Sequence, residues 1–195
     1  MKKRPFATLL FPLFAPAALC AVAGGVRDAS LPALARRQIG VTVAYDPSYV
    51  QLDYPMGDVP AGHGVCTDVV IRAFRLNGLD LQQAVHEDMK RNFGKYPKIW
   101  GLKRPDRNID HRRVPNLMRF FERQGWSVPI SREAADYLSG DIVTCLVGDT
   151  LPHIFIVSDR RNKHGRPLII HNIGRGTQEK DGLFDYSLTG HYRPK

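Results

Sequence analysis

The chain has 195 residues, 28 Lys+Arg against 19 Asp+Glu, a formal charge of +9 and 43% hydrophobic residues. That hydrophobic share supports a packed core and excludes wholesale disorder, and the length suits one domain. Three cysteines are too few for a disulfide scaffold or a Cys-rich zinc module, and the absence of an internal repeat excludes a solenoid or propeller.

Lys2, Lys3 and Arg4 precede an apolar run from Phe6 to Cys20, and Ala21-Val-Ala23 has the small-x-small form of a signal-peptidase site. This order predicts that residues 1–23 are a secretory signal and that residues 24–195 form a single domain. Two prolines, and a run short of the ~20 residues a spanning helix needs, argue against a retained anchor. The expected protein is exported to the periplasm or cell envelope, with no stable membrane insertion after cleavage. A positive charge there points to anionic wall polymer or lipid headgroups before nucleic acid.

Ser30 is placed to cap a short helix through Arg37, closed by Gly40. Positions 45–64, rich in Pro, Gly, Asp and Tyr, read as a long irregular loop that includes Tyr54. From Cys66 the apolar residues Val69, Val70, Ala73, Phe74 and Leu76 keep a helical period, and Gly78 stands at the C-terminal cap position. Two further helices are expected at Leu81–Met89 and Val114–Glu122, the second with Pro115 in its first turn. Between them Tyr96 and Trp100 lie beside Arg104, Arg107, Arg112 and Arg113, a cluster suited either to an anionic polymer or to a solvated face. After Gly125 the pattern changes to strands: Asp141–Val147, His153–Ser158, Pro167–Ile173 and a weaker one over Ser187–Arg193. Gly174–Gln178 reads as a turn beside the third of these. Helices followed by an antiparallel sheet predict an α+β fold.

Cys66 opens a helix after a glycine-rich loop, where free backbone N–H groups and the helix dipole favour a thiolate and an adjacent oxyanion. Asp68 in the first turn opposes that effect. The alternative is a structural cysteine, buried or bridged to Cys145. His153 and His171 lie in successive strands, and the point midway between them falls at Asn162, inside the connecting loop. Hairpin pairing about that point sets the imidazoles on one face, on the order of 5–7 Å apart. Asn172 points to the other face, so parity favours His171 as the partner of His153. A thiol, an imidazole base and a group that orients the base form a nucleophilic set. His86-Glu-Asp88 and Asp110-His111 lack the spacing of a zinc site, so no metal is expected.

Three blocks carry a family resemblance: Gly64-Val-Cys-Thr-Asp-Val-Val70, Ser139-Gly-Asp-Ile-Val143 and His153-Ile-Phe-Ile-Val-Ser-Asp159. They resemble the NlpC-type cell-wall peptidase superfamily. Asn108–Leu117 and Ile170–Gln178 further resemble a family of exported bacterial proteins of unknown function within that clan, a likeness covering nearly all of the chain after the signal. The resemblance implies a papain-like (NlpC-type) fold, with the nucleophile helix packed on a small antiparallel sheet. It implies Cys66 as nucleophile, His153 as general base and His171 as the orienting residue.

The implied activity is a secreted cysteine peptidase or amidase that cleaves an amide bond through a thioester, without a cofactor. Peptidoglycan stem peptides, and so an anionic wall polymer, are the implied substrate; no nucleic-acid partner and a monomer are expected. Substrate contacts are expected from Asp68, Tyr54, Arg175 and Gln178. The wall-peptidase pattern has Asp before the cysteine and Ser after it, where this chain has Val65 and Thr67, so the nucleophile carries over better than the specificity. Two alternatives stay open: a non-catalytic envelope-binding domain with Cys66 and Cys145 oxidised, and an acyltransferase using the same Cys/His pair.

Overall fold

A computed structural model describes residues 30–195. The signal expected over residues 1–23 lies outside the described residues. The fold is mixed α and β, an antiparallel sheet with several helices. Helix α1 spans Leu31–Arg36 and buries Pro32, Leu34 and Ala35. Ser30 precedes it but makes no side-chain cap bond. Pro32 suits the first turn because its fixed φ is already helical and its missing N–H would have had no partner. Helix α2, Cys66–Leu76, is buried from Cys66 through Phe74. Helix α3 covers Leu81–Asn92, with the Asp80 side chain accepting from the Gln82 amide. Helix α4 covers Val114–Arg123, with Pro115 in its first turn.

The long loop before α2 contains two short strands, β1 (Ala44–Tyr45) and β2 (His63–Gly64), paired in parallel. Two-residue strands carry no periodicity, which is why the sequence reads as plain loop there. Arg72 of α2 clamps this loop: it binds both oxygens of Asp58, Thr42 Oγ1 and the carbonyl oxygens of Val59 and His63. Gln82 adds a second tie, accepting from the Gly57 amide and donating to the Asp53 carbonyl.

The main sheet contains β3 (Ile142–Val147), β4 (Leu151–Arg161), β5 (Pro167–Asn172), β6 (Thr177–Lys180) and β7 (Ser187–Tyr192), in the order β6-β5-β4-β3-β7. Every pairing is antiparallel. Because side chains alternate along a strand, β4 serves two cores. Ile154 and Ile156 join Ile142 and Ile170 under α2 and α4, whereas Phe155 and Val157 join Tyr137, Val143, Cys145, Ile169 and Leu183 on the far face.

Strand β6 replaces the turn expected through Gln178. Thr-Gln-Glu-Lys has no apolar alternation; the segment becomes a strand because it pairs with β5 and because Glu179 binds Arg36 and Ser158. Gly176 (φ +78) precedes it, with a position for Cβ only 2.5 Å from the Thr42 carbonyl oxygen. Only glycine admits the 40–45 segment so close.

Candidate active site

The first residue of α2 meets the sheet at β4, where the Ile154 amide faces its sulfur. Val65 is extended (φ −115, ψ −175), and its N–H is taken by Asp68 Oδ2 at 2.7 Å. The sulfur of Cys66 is faced by the amides of Ile154, Thr67 and Cys66 itself, all of which favour the thiolate. Cys66 is only 4% exposed. It lines a cleft of about 310 Å³ together with Tyr45, Trp100, Arg112, Arg113 and Pro152. Burial outweighs the amides and pushes the thiol up to about 11, with the nearby Asp68 charge acting in the same direction. The helix N-terminus therefore does not hold Cys66 as a thiolate in this resting state. Among the described residues, neither Cys66 nor Cys145 is in a disulfide.

His153 and His171 are neighbours: His153 Nε2 lies 2.9 Å from His171 Nδ1, and the ring centroids are 5.1 Å apart. The hairpin centre falls one residue beyond Asn162, since Ile156 pairs with Ile170 and Val157 with Ile169. The two histidines are thus diagonal partners rather than directly opposed, and they keep one face because the shift is two residues. Both are buried, and desolvation lowers them to about 3 for His153 and about 4 for His171, so both rings are neutral. A hydrogen bond between two neutral imidazoles needs one donor and one acceptor, which fixes complementary tautomers. His171 Nε2 is buried with no partner among the described residues.

The structure does not join Cys66 to this pair by a hydrogen bond among the described residues. His153 shares the parity of Phe155 and Val157, toward Tyr186, whose ring is 6.2 Å from its own. Cys66 belongs to the core on the α2 side. The sulfur reaches the sheet at the Ile154 amide, one residue beyond His153.

Tyr45, which sequence reasoning did not select, is the side chain whose hydroxyl faces the Cys66 sulfur. Desolvation, with the adjacent cysteine, raises that phenol to about 12, so it remains a donor. Its position depends on Arg112. That guanidinium grips Asp68 with two hydrogen bonds, Nε to Oδ1 at 3.0 Å and Nη2 to Oδ2 at 2.9 Å. It also donates to the carbonyl oxygens of Asp46 and Ser48, next to Tyr45. The only signal for this role in the sequence was an Arg among other arginines.

Asp68, expected as a substrate contact, has both its oxygens on Arg112 and the Val65 amide, and its side chain is 4% exposed. Tyr54 sits against α3, its hydroxyl on Glu87 Oε1 and its ring 5.2 Å from His86, and it does not line the cleft. Arg175 is exposed in the 173–176 bend, and Gln178 is exposed on β6 across from His171; neither lines the cleft. The arginine cluster divides. Arg112 is buried, Arg113 lies over the Trp100 ring at 4.2 Å, and Tyr96 is buried on Asp88. Among the described residues, no group of three or more His, Cys, Asp or Glu side chains is arranged to hold a metal ion. Asp88 is committed to Tyr96 and Arg123, and burial lowers His111 to about 3.

Comparison with known proteins places these features in a family. The family described as Domain of unknown function (DUF1287) matches residues 33–194. The Uncharacterized protein YijF of Escherichia coli (strain K12) is 57% identical over 159 residues, which span 82% of this chain and 78% of the relative.

Proposed function

The chain belongs to the DUF1287 family, and from its site we propose an exported cysteine hydrolase of papain-like, NlpC-type fold that cleaves an amide bond. The observation that carries the reading is a cleft-lining cysteine at a helix start, with a tyrosine hydroxyl and three amides on its sulfur and a hydrogen-bonded histidine pair beginning one residue from the nearest amide. His153 uses Nε2 on His171, which leaves Nδ1 as the atom for a proton. The proposed reaction requires His153, which rests on the opposite face of β4 from Cys66, to turn toward the cysteine; the thiol then gives its proton to Nδ1 as sulfur attacks the carbonyl carbon. The C–N bond then breaks, the amine leaves with the proton held on His153, and a thioester remains. Water hydrolyses the thioester to a carboxylic acid and restores the thiol. Neutral imidazole is the form able to accept that first proton. The Tyr45 hydroxyl and the Cys66 amide are donors beside the point where negative charge develops on the carbonyl oxygen.

Peptidoglycan stem peptides are the proposed substrate, on the strength of the sequence blocks around Cys66 and His153. The test incubates the protein and Cys66→Ala with purified peptidoglycan under mild reduction and identifies released fragments by mass spectrometry. Fragments from the wild type alone support the proposal; an intact sacculus with an unreactive Cys66 rejects it. The second reading, an envelope-binding domain without catalysis, is favoured by the neutral, buried thiol. Binding of peptidoglycan without turnover is its signature.

A further inference from the structure

One segment walls two concavities. Ile99, Trp100 and Ile109 line the Cys66 cleft, while the residues between them, Gly101 to Asn108, line an open groove of about 970 Å³ with Tyr49 and His86. The charges on the two sides are disposed differently. Arg112 is neutralised by Asp68, and Arg113 reaches Asp110 at 3.4 Å while stacking on Trp100. Lys103, Arg104 and Arg107 are exposed on the groove, and none has a salt-bridge partner among the described residues. Arg107 is steadied instead by the Tyr54 ring, 5.6 Å from its guanidinium carbon.

The acids nearby are occupied. Asp106, in the groove wall, accepts from the Tyr49 hydroxyl at 3.0 Å and from the Asn108 amide. Glu87 holds the Tyr54 hydroxyl and lies within ion-pair range of Lys90 and Arg91. His86 Nδ1 is buried without a partner among the described residues, a further polar atom at this wall. The wall is itself well fixed: Asn108 donates to Tyr49 and accepts from the Leu52 amide.

We propose that the groove formed by Lys103, Arg104 and Arg107 is an anion subsite that holds the side-chain or terminal carboxylates of an extended acidic peptide whose amide bond lies in the Cys66 cleft. The choice of a peptide rests on the hydrolase reading, since a chain threaded past a cysteine nucleophile presents amides, and its acids are carboxylates. Arginine forks bind carboxylates in pairs of parallel hydrogen bonds. Three unpaired cations on a fixed wall suit a ligand with several acids better than a single ion.

The test titrates the full chain carrying Cys66→Ala, which removes turnover and so separates failure of the groove from failure of the hydrolase reading. The probes are hexaglutamate, hexaglutamine and a polyglycerol phosphate of similar charge. Hexaglutamate is expected to bind most tightly, with affinity falling as salt rises. The combination Lys103→Ala, Arg104→Ala and Arg107→Ala is expected to weaken it about tenfold, each exposed contact supplying part of that. Unchanged thermal unfolding of this surface variant confirms that it is folded. Equal binding of hexaglutamate and hexaglutamine, tighter binding of the phosphate polymer, or no effect of the triple substitution would overturn the proposal.

Discussion

The Asp68–Arg112 pair supports a quantitative prediction. The two side chains are 4% and 2% exposed, respectively, and share two hydrogen bonds. Removing one partner strands the other charge in a dry site, which costs about 3–5 kcal/mol. Arg112→Met leaves Asp68 with only the Val65 amide, and frees the carbonyls of Asp46 and Ser48. Asp68→Asn retains one acceptor for Arg112, so its cost belongs at the lower end, about 3 kcal/mol. In the double variant no charge is buried, and the loss is confined to the carbonyl partners, about 2 kcal/mol. The singles together should therefore exceed the double by about 4–6 kcal/mol, strong non-additivity for a contacting pair. Urea unfolding of the four proteins measures each corner of the cycle. Additive losses, or singles each below about 1 kcal/mol, would refute a buried structural pair and return Arg112 to the surface of the cleft as a ligand group.

Three further outcomes are expected. Alkylation of Cys66 by iodoacetamide should be slow at neutral pH and rise toward pH 11, since burial puts the thiol at about 11; a rate already at plateau near neutrality would mean a stabilised thiolate. Burial lowers His153 and His111 to about 3 and His171 to about 4 from an unfolded value of 6.5. Groups with lowered folded values contribute stability above the unfolded value and lose it as pH falls. Stability should accordingly decline between pH 6.5 and 4, and His171→Gln should flatten that slope; Asp110, raised by burial to about 6, runs the opposite way, its contribution being lost as pH rises from 3.8 through 6. Arg72→Met should cost about 2–4 kcal/mol, by orphaning the loop carbonyls and Asp58, and speed proteolytic cleavage within residues 53–64.

The helices and central strands were legible because their signals are local. The apolar period from Val69 to Phe74, and proline in the first turn of α4, act within a few residues. The same holds for the apolar runs of β3, β4 and β5, with ends within three residues of those expected. Strand β6 was not legible, because its partners Arg36 and Ser158 are distant in the chain and its own residues are polar. Tyr45 was missed for a similar reason. It lies in a loop without periodicity, and what brings it to Cys66 is the grip of Arg112 on the residues that follow it.

The sequence by itself determined that His153 and His171 share a face, because strand parity survives an error of one residue in the turn. It also placed Cys66 at the first residue of a helix, a position set by the glycines before it and the apolar period after it. What only the tertiary structure decided is how those groups are used. The histidines meet on a diagonal, and the cysteine reaches the sheet from the other core, at the Ile154 amide. Asp68 turns inward because a guanidinium 44 residues away is packed beneath the helix. Burial then decides the protonation states: it holds the thiol and both imidazoles neutral, overriding the helix N-terminus that the local sequence advertises.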